Sequence, residues 1–161
     1  GVRTGIVVAG EEIIKALSAV NAIVSLSNGS LGQVMTLPFI QSGKILEISS
    51  QIIKPYYKAR SAETTKWIKE VFPKSAEFSI HKSEGAFFLW IWFKNLSIPT
   101  SELYKKLIER NVIIVPGEYF FYGCSDSWSH RTQCIRMNYS QPAEVVRRGV
   151  EIIAEVSAEY T

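Results

Sequence analysis

The chain has 161 residues, 47% hydrophobic and 20% charged, enough apolar material for one domain, or for one small domain and part of another. No apolar run approaches the ~20 residues that span a bilayer, and the first, Gly5 to Ala9, is too short for a signal peptide and already follows an arginine. A net charge of +3, with lysines and arginines scattered among acids as in Lys66 to Glu70, describes a mixed solvated surface and argues against a nucleic-acid patch.

Gly5 to Ala9 (GIVVA) is a short apolar run bounded by glycine and reads as a buried strand. The chain enters it almost at once, without an initial methionine, which is the pattern of a piece of a larger protein. Glu11 to Ala22 places Ile13, Ile14, Leu17 and Val20 on one helical stripe, with acids in the first turn where the helix dipole favours them. Ser25 to Gln33 is a loop of small turn formers, and a second helix runs from about Leu31 to Ile40. From Gly43 to Phe72, apolar residues recur at intervals of three and four: Ile45, Ile48, Ile52, Tyr56, Ala59, then Ile68, Val71 and Phe72. Pro55 interrupts this pattern and predicts a kink or break, because it removes a donor and crowds the preceding turn. A helical element of ~45 Å, at 1.5 Å per residue, suits a bridge between two domains.

The texture changes after Pro73. Gly85 to Phe93 (GAFFLWIWF) is apolar on both faces and reads as a central strand covered on both sides. Pro99 and Thr100 open a helix with Thr100 as N-cap, Glu102 in the first turn, and Leu103, Leu107 and Ile108 inward; Asn111 ends it. VIIVPG is the next strand, and Glu118 to Gln133 a loop dense in aromatic residues. CIRMNYSQ, Cys134 to Gln141, is the last strand, followed by a helix with Pro142 in its first turn and Val146, Val150, Ile153 and Tyr160 along one face. The order β-β-α-β-loop-β-α predicts an α/β layer on a small, mostly antiparallel sheet. The segments divide into residues 1–43, a bridging helix 44–72, and a small α/β domain 73–161.

Candidate chemistry centres on Arg136. Strand alternation puts Ile135, Met137 and Tyr139 on one face and Cys134, Arg136 and Asn138 on the other. A guanidinium on a buried strand needs an anion, either an internal carboxylate in a salt bridge or the carboxylate of a small ligand, which its fork matches with two parallel hydrogen bonds. Asn138 assists in either case. Arg3, flanked by glycines in GVRTG, is a surface arginine or a phosphate contact. The segment from Glu84 to Ile91 departs from an RNA-recognition strand, with an acid at its lead position and alanine where a stacking ring is needed. His81 and His130 have no ligand-spaced neighbours, so no metal site is expected. Two cysteines, Cys124 and Cys134, are too few for a disulfide scaffold and point to a reducing, cytoplasmic setting.

Four segments occur in an order that resembles the fold-type I, pyridoxal-phosphate-dependent aminotransferases. GVRTG-IVVA is similar to their G-x-R-x-G segment, EGAFFLWIWF to the first strand of their C-terminal domain, NVIIVPGEYF to V-x-V-x-P-G-x-x-F, and CIRMNYSQ to the final R-x-N/S-x strand. The resemblance covers essentially the whole chain. It implies a C-terminal portion of that fold: a remnant of the large domain, with a strand plus helices, the bridging helix, and the small α/β domain. By the same resemblance Arg136, with Asn138 beside it, binds the substrate α-carboxylate, Arg3 contacts the phosphate of pyridoxal 5'-phosphate, and the aromatic loop lines the pocket. IIKPYY, IHKSEGAFFLWIWF and the W-x-H…C-x-R-M-N-Y ending resemble a subgroup that exchanges amino groups between small aliphatic amino acids (valine, alanine) and 2-oxo acids (pyruvate, 2-oxoisovalerate). A homodimer with shared sites is implied, with no nucleic acid or membrane partner.

The family's Schiff-base lysine stands a few residues before the position of Gly1, so the chain alone is expected to be inactive, with no catalytic residue of its own, and not to hold the cofactor. Gly29 and Gly32 replace residues common elsewhere in the superfamily, which leaves contacts from that loop open. The competing expectation is a self-standing α/β module that binds carboxylates or proteins without catalysis.

Overall fold

The structure, a computed structural model, describes residues 4–25, 29–125 and 127–161. Its contacts divide the chain into two compact units, Gly1–Gln51 and Ile52–Thr161.

In the first unit the two expected helices form as α1 (Glu11–Ser25) and α2 (Leu31–Gln41), and the start of the segment expected as a bridging helix forms a separate short helix, α3 (Lys44–Ile48). Glu11 and Glu12 occupy the first turn of α1, and Glu11 pairs with Lys15 one turn on at 2.8 Å. Between α2 and α3 the chain turns through Gly43 in the left-handed region (φ 72°), a conformation glycine adopts without penalty. The apolar stripe of α1 forms, but Ile13, Leu17 and Val20 are exposed, since three short helices enclose too little volume to cover it. Gly5 to Ala9 departs from expectation. Residues 4–10 form no regular element and Val8 is 93% exposed. A strand needs a neighbour for its backbone donors and acceptors, and none of the described strands pairs with this run.

The break expected at Pro55 takes the form of a π-helical turn, Ser49–Ile53, immediately before α4 (Lys54–Val71). Pro55 is the second residue of α4, where its missing N–H goes unneeded.

The second unit is built on β1 (Phe78–Ile80), β2 (Phe88–Phe93), β3 (Val115–Pro116) and β4 (Cys134–Asn138), in the antiparallel order β1-β2-β4-β3. β2 is central, as its apolar character requires. Its alternation is sharp: Leu89, Ile91 and Phe93 are buried, whereas Phe88, Trp90 and Trp92 are half-buried. The former join Ile135, Met137 and Tyr139 of β4 in a core with Ile68 and Phe72 from α4 and its C-cap, Leu103 and Leu107 from α5 (Thr100–Glu109), and Val146, Val150 and Ile153 from α6 (Ala143–Ala158). Each such side chain contributes about 1.5–3 kcal/mol on burial. The other face of β2 is thus covered only in part, and by a loop instead of a helix.

Three local expectations shift. Pro99, not Thr100, is the N-cap of α5; the Thr100 hydroxyl is buried with no partner among the described residues, because its backbone is already helical. Asn111 does end the helix, in the left-handed conformation (φ 59°), with Val112 N–H donating back to Leu107 at 2.9 Å. Of VIIVPG only Val115 and Pro116 pair, against Arg136 and Ile135; Pro116 lacks a donor and belongs at a sheet edge. Pro142 caps α6 from just outside the helix.

Candidate functional site

β4 fixes the position of Arg136. Its neighbours Ile135 and Met137 face the helices, so alternation turns Arg136 to the opposite face, where it is half-buried. Trp90 lies directly across in register and Phe88 lies two pairs further along on the same face, opposite Asn138. The Arg136 guanidinium carbon is 4.2 Å from the ring centroid of Phe88 and 4.8 Å from that of Phe120. The cation therefore has two aromatic rings within cation–π range, worth about 0.5–2 kcal/mol at each ring.

The Arg136 side chain makes no hydrogen bond or ion pair with any described residue, and its Nε is buried with no partner among them. The expected alternative, an internal salt bridge, therefore finds no anion among the described residues. Aromatic faces hold a guanidinium but do not use its N–H donors, so no described residue engages the edge of the fork. Asn138 follows two residues on in β4 and is exposed, with its Oδ1 accepting the Ser140 N–H at 2.6 Å. That bond turns the chain out of the strand. Arg3 lies outside the described residues.

Phe120 reaches Arg136 because the 117–133 loop folds onto the sheet. It starts in a 3-10 turn, Gly117–Phe120, and ends in another, Ser129–Thr132. Trp90 meets Phe120 edge-on at 5.3 Å and Phe121 at 5.9 Å. His130 stacks on Trp128 at 5.0 Å and stands edge-on to Trp92 at 4.7 Å. Sequence spacing gives His130 no metal-ligand partner; the structure makes it part of the aromatic layer, which only the density of rings around it in sequence hints at. The loop also borders an open depression running from Glu118 and Tyr119 to Cys124 and Arg131, and Arg136 is not among its walls. Among the described residues no group of histidine, cysteine or acidic side chains could hold a metal ion, and no helix is long and apolar enough to cross a membrane.

Both cysteines are free thiols, Cys124 exposed and Cys134 buried. His130 Nε2 lies 3.5 Å from the Cys134 sulfur. Burial pushes the Cys134 thiol up to about 11, a rise that a hydrogen bond with Trp90 partly offsets. A thiol reagent near neutral pH is expected to label Cys124 and to spare Cys134 until the fold opens; equal labelling of both in native protein would contradict the burial. Because the folded thiol is the weaker acid, its contribution to stability is complete below the ordinary value of 9.0 and is lost as pH climbs through about 11.

The profile of the family "Aminotransferase class I and II" matches residues 1–153. The valine–pyruvate aminotransferase of Escherichia coli (strain K12) is 44% identical over 155 residues, covering 96% of this chain and 37% of that protein. A crystal structure of valine–pyruvate aminotransferase from Salmonella typhimurium LT2 superposes with a TM-score of 0.81 at 39% identity, over 94% of this chain and 39% of that one. An amino-acid aminotransferase structure from Psychrobacter arcticum 273-4 gives 0.85 at 38%, over 99% and 36%. The chain thus spans little more than a third of the length of the curated relatives it matches.

Proposed function

The chain belongs to the class I and II aminotransferases, and from that premise we propose that it supplies the substrate-carboxylate side of an enzyme exchanging an amino group between a small aliphatic amino acid and a 2-oxo acid. The observation that carries this reading is Arg136: a half-buried guanidinium with two rings in cation–π contact and no anion among the described residues. The 44% identity to a valine–pyruvate aminotransferase supports valine or alanine as donor, with pyruvate or 2-oxoisovalerate as acceptor.

Among the described residues, the donor set suits the substrate side of pyridoxal phosphate chemistry, since Arg136 offers one cation for one carboxylate beside aromatic rings. Arg3, from its place in GVRTG, is the residue to contact the cofactor phosphate. When bound, pyridoxal phosphate supplies the electron sink for loss of the Cα proton. Arg136 holds the α-carboxylate with two parallel N–H donors, which fixes how the Cα–H bond is presented, a positioning effect. Phe88 and Phe120 hold the guanidinium in place by their ring faces. Asn138 borders the carboxylate on the same strand face. The rest of the machinery, including the lysine that moves the proton, comes from the remaining length of the enzyme. No lysine in these 161 residues follows a Ser-x-Ser sequence, so the chain by itself is expected to exchange no amino group and to bind no cofactor. Residues 1–43 belong on this reading to the large domain, 44–72 to the bridging helix and 73–161 to the small domain of a homodimeric enzyme.

The test is an assay of the full-length, cofactor-loaded enzyme with L-valine and pyruvate. Formation of 2-oxoisovalerate and alanine is expected. No transfer from valine or alanine to either oxo acid would overturn the proposal.

A further inference from the structure

Ala86 has a left-handed backbone (φ 61°), which an L side chain rarely adopts. It lies two residues before Phe88, in the segment that feeds β2, so its conformation sets the direction in which Phe87 and Phe88 leave the turn. A strained residue persists where its surroundings over-determine it. One side chain bonds directly to this residue. Tyr139, 1% exposed and among the largest fully buried residues, donates its hydroxyl to the Ala86 carbonyl at 2.9 Å. Its own N–H donates to Phe87 at 3.1 Å. Tyr139 is thus bonded twice to the turn, from the end of the strand that carries Arg136, and Phe88 emerges from that turn 4.2 Å from the Arg136 guanidinium.

The hydroxyl is not needed for packing. Phenylalanine would fill the same volume, and a buried core position favours the apolar ring unless the O–H has a task. We propose that Tyr139 is a positioning residue for the carboxylate anchor: its hydroxyl pins Ala86 in the left-handed turn and so holds Phe88 against Arg136. This inference rests on the reading of Arg136 as the substrate-carboxylate site.

The experiment compares four forms of the full-length enzyme with the parent: Tyr139→Phe, Ala86→Gly, the double variant, and Arg136→Ala. The probe is isovalerate, a small aliphatic carboxylate with neither amino nor oxo group, titrated by calorimetry, alongside KM and kcat for valine and for pyruvate. Tyr139→Phe is expected to weaken isovalerate about fivefold, ~1 kcal/mol, and to raise both KM values by a similar factor with a smaller change in kcat. Glycine takes the left-handed conformation without strain, so Ala86→Gly alone stays within about twofold of the parent and the double variant recovers at least half of the loss. A Tyr139→Phe enzyme that binds isovalerate like the parent overturns the inference, and so does a double variant no better than Tyr139→Phe alone. Arg136→Ala separates the two levels. If it abolishes isovalerate binding while Tyr139→Phe does not weaken it, only the positioning role fails. If Arg136→Ala still binds isovalerate like the parent, the carboxylate reading fails with it.

Discussion

Replacing Arg136 by alanine in the full-length enzyme is expected to lower kcat/KM for amino acid and oxo acid at least about tenfold, some 1.4 kcal/mol. Two losses add. The carboxylate loses a bidentate partner whose donors are engaged by no described residue, and Phe88 and Phe120 lose the cation between which they pack. A carboxylate contact present in both ground and transition state appears mainly in KM, whereas looser presentation of the Cα–H bond appears in kcat. Lysine at 136 keeps the charge but not the planar fork, so Arg136→Lys is expected to fall between parent and alanine. Steady-state kinetics with both substrates varied decides this, and an unchanged rate for Arg136→Ala would return the arginine to a structural role.

The second large effect is expected at Gly117. A Cβ there would stand 2.6 Å from the Cys134 Cβ, 2.7 Å from the Cys134 carbonyl oxygen and 3.1 Å from the Arg131 carbonyl oxygen. Two of those three atoms are backbone, so Gly117→Ala is relieved only by moving the start of the aromatic loop away from β4. Overpacking of this kind costs about 1–3 kcal/mol. The displaced segment includes Phe120, one of the two rings on Arg136. Gly117→Ala is therefore expected to lower the thermal midpoint and to raise KM for both substrates. A variant with parental midpoint and parental KM would show that the close contact with Cys134 is not what seats the loop.

Much of the small α/β unit is legible in the sequence because it completes its own hydrogen bonding and core. Alternation in CIRMNYSQ puts Ile135, Met137 and Tyr139 inward and Arg136 on the other face, as observed. Ile68 of α4, Leu103 and Leu107 of α5, and Val146, Val150 and Ile153 of α6 meet the same core, whereas Tyr56 and Ile108, expected on the same stripes, are exposed. GIVVA shows the limit of such reasoning. Composition says that a strand can form there, but a strand exists only beside another strand, and no described strand pairs with it. The same limit applies to β2, whose aromatic residues suggest two fully covered faces. Leu89, Ile91 and Phe93 meet helices, whereas Phe88, Trp90 and Trp92 meet a loop that leaves them half-buried.

Within the candidate site, Arg136 is found by chemistry that sequence carries: a fork on an otherwise apolar or neutral strand. Its partners are not. Phe88 and Phe120 stand 32 positions apart, and nothing local distinguishes them from the neighbouring Phe87 and Phe121. Ala86 gives no signal either, since a left-handed alanine is imposed by its tertiary bond to Tyr139 and not by propensity.

If Arg136 reads a substrate carboxylate, a substrate that lacks one separates that role from a structural one. L-valine and isobutylamine share the amine and the branched carbon skeleton, but only valine carries the carboxylate. Transfer from each to pyruvate should be measured with the parent full-length enzyme and with Arg136→Ala. The expected result is a loss of at least about tenfold in kcat/KM for valine with isobutylamine changed by less than about twofold, within the scatter expected of groups that do not interact. An equal loss on both amines would mean that Arg136 supports the fold or the site at large, and would contradict the claim.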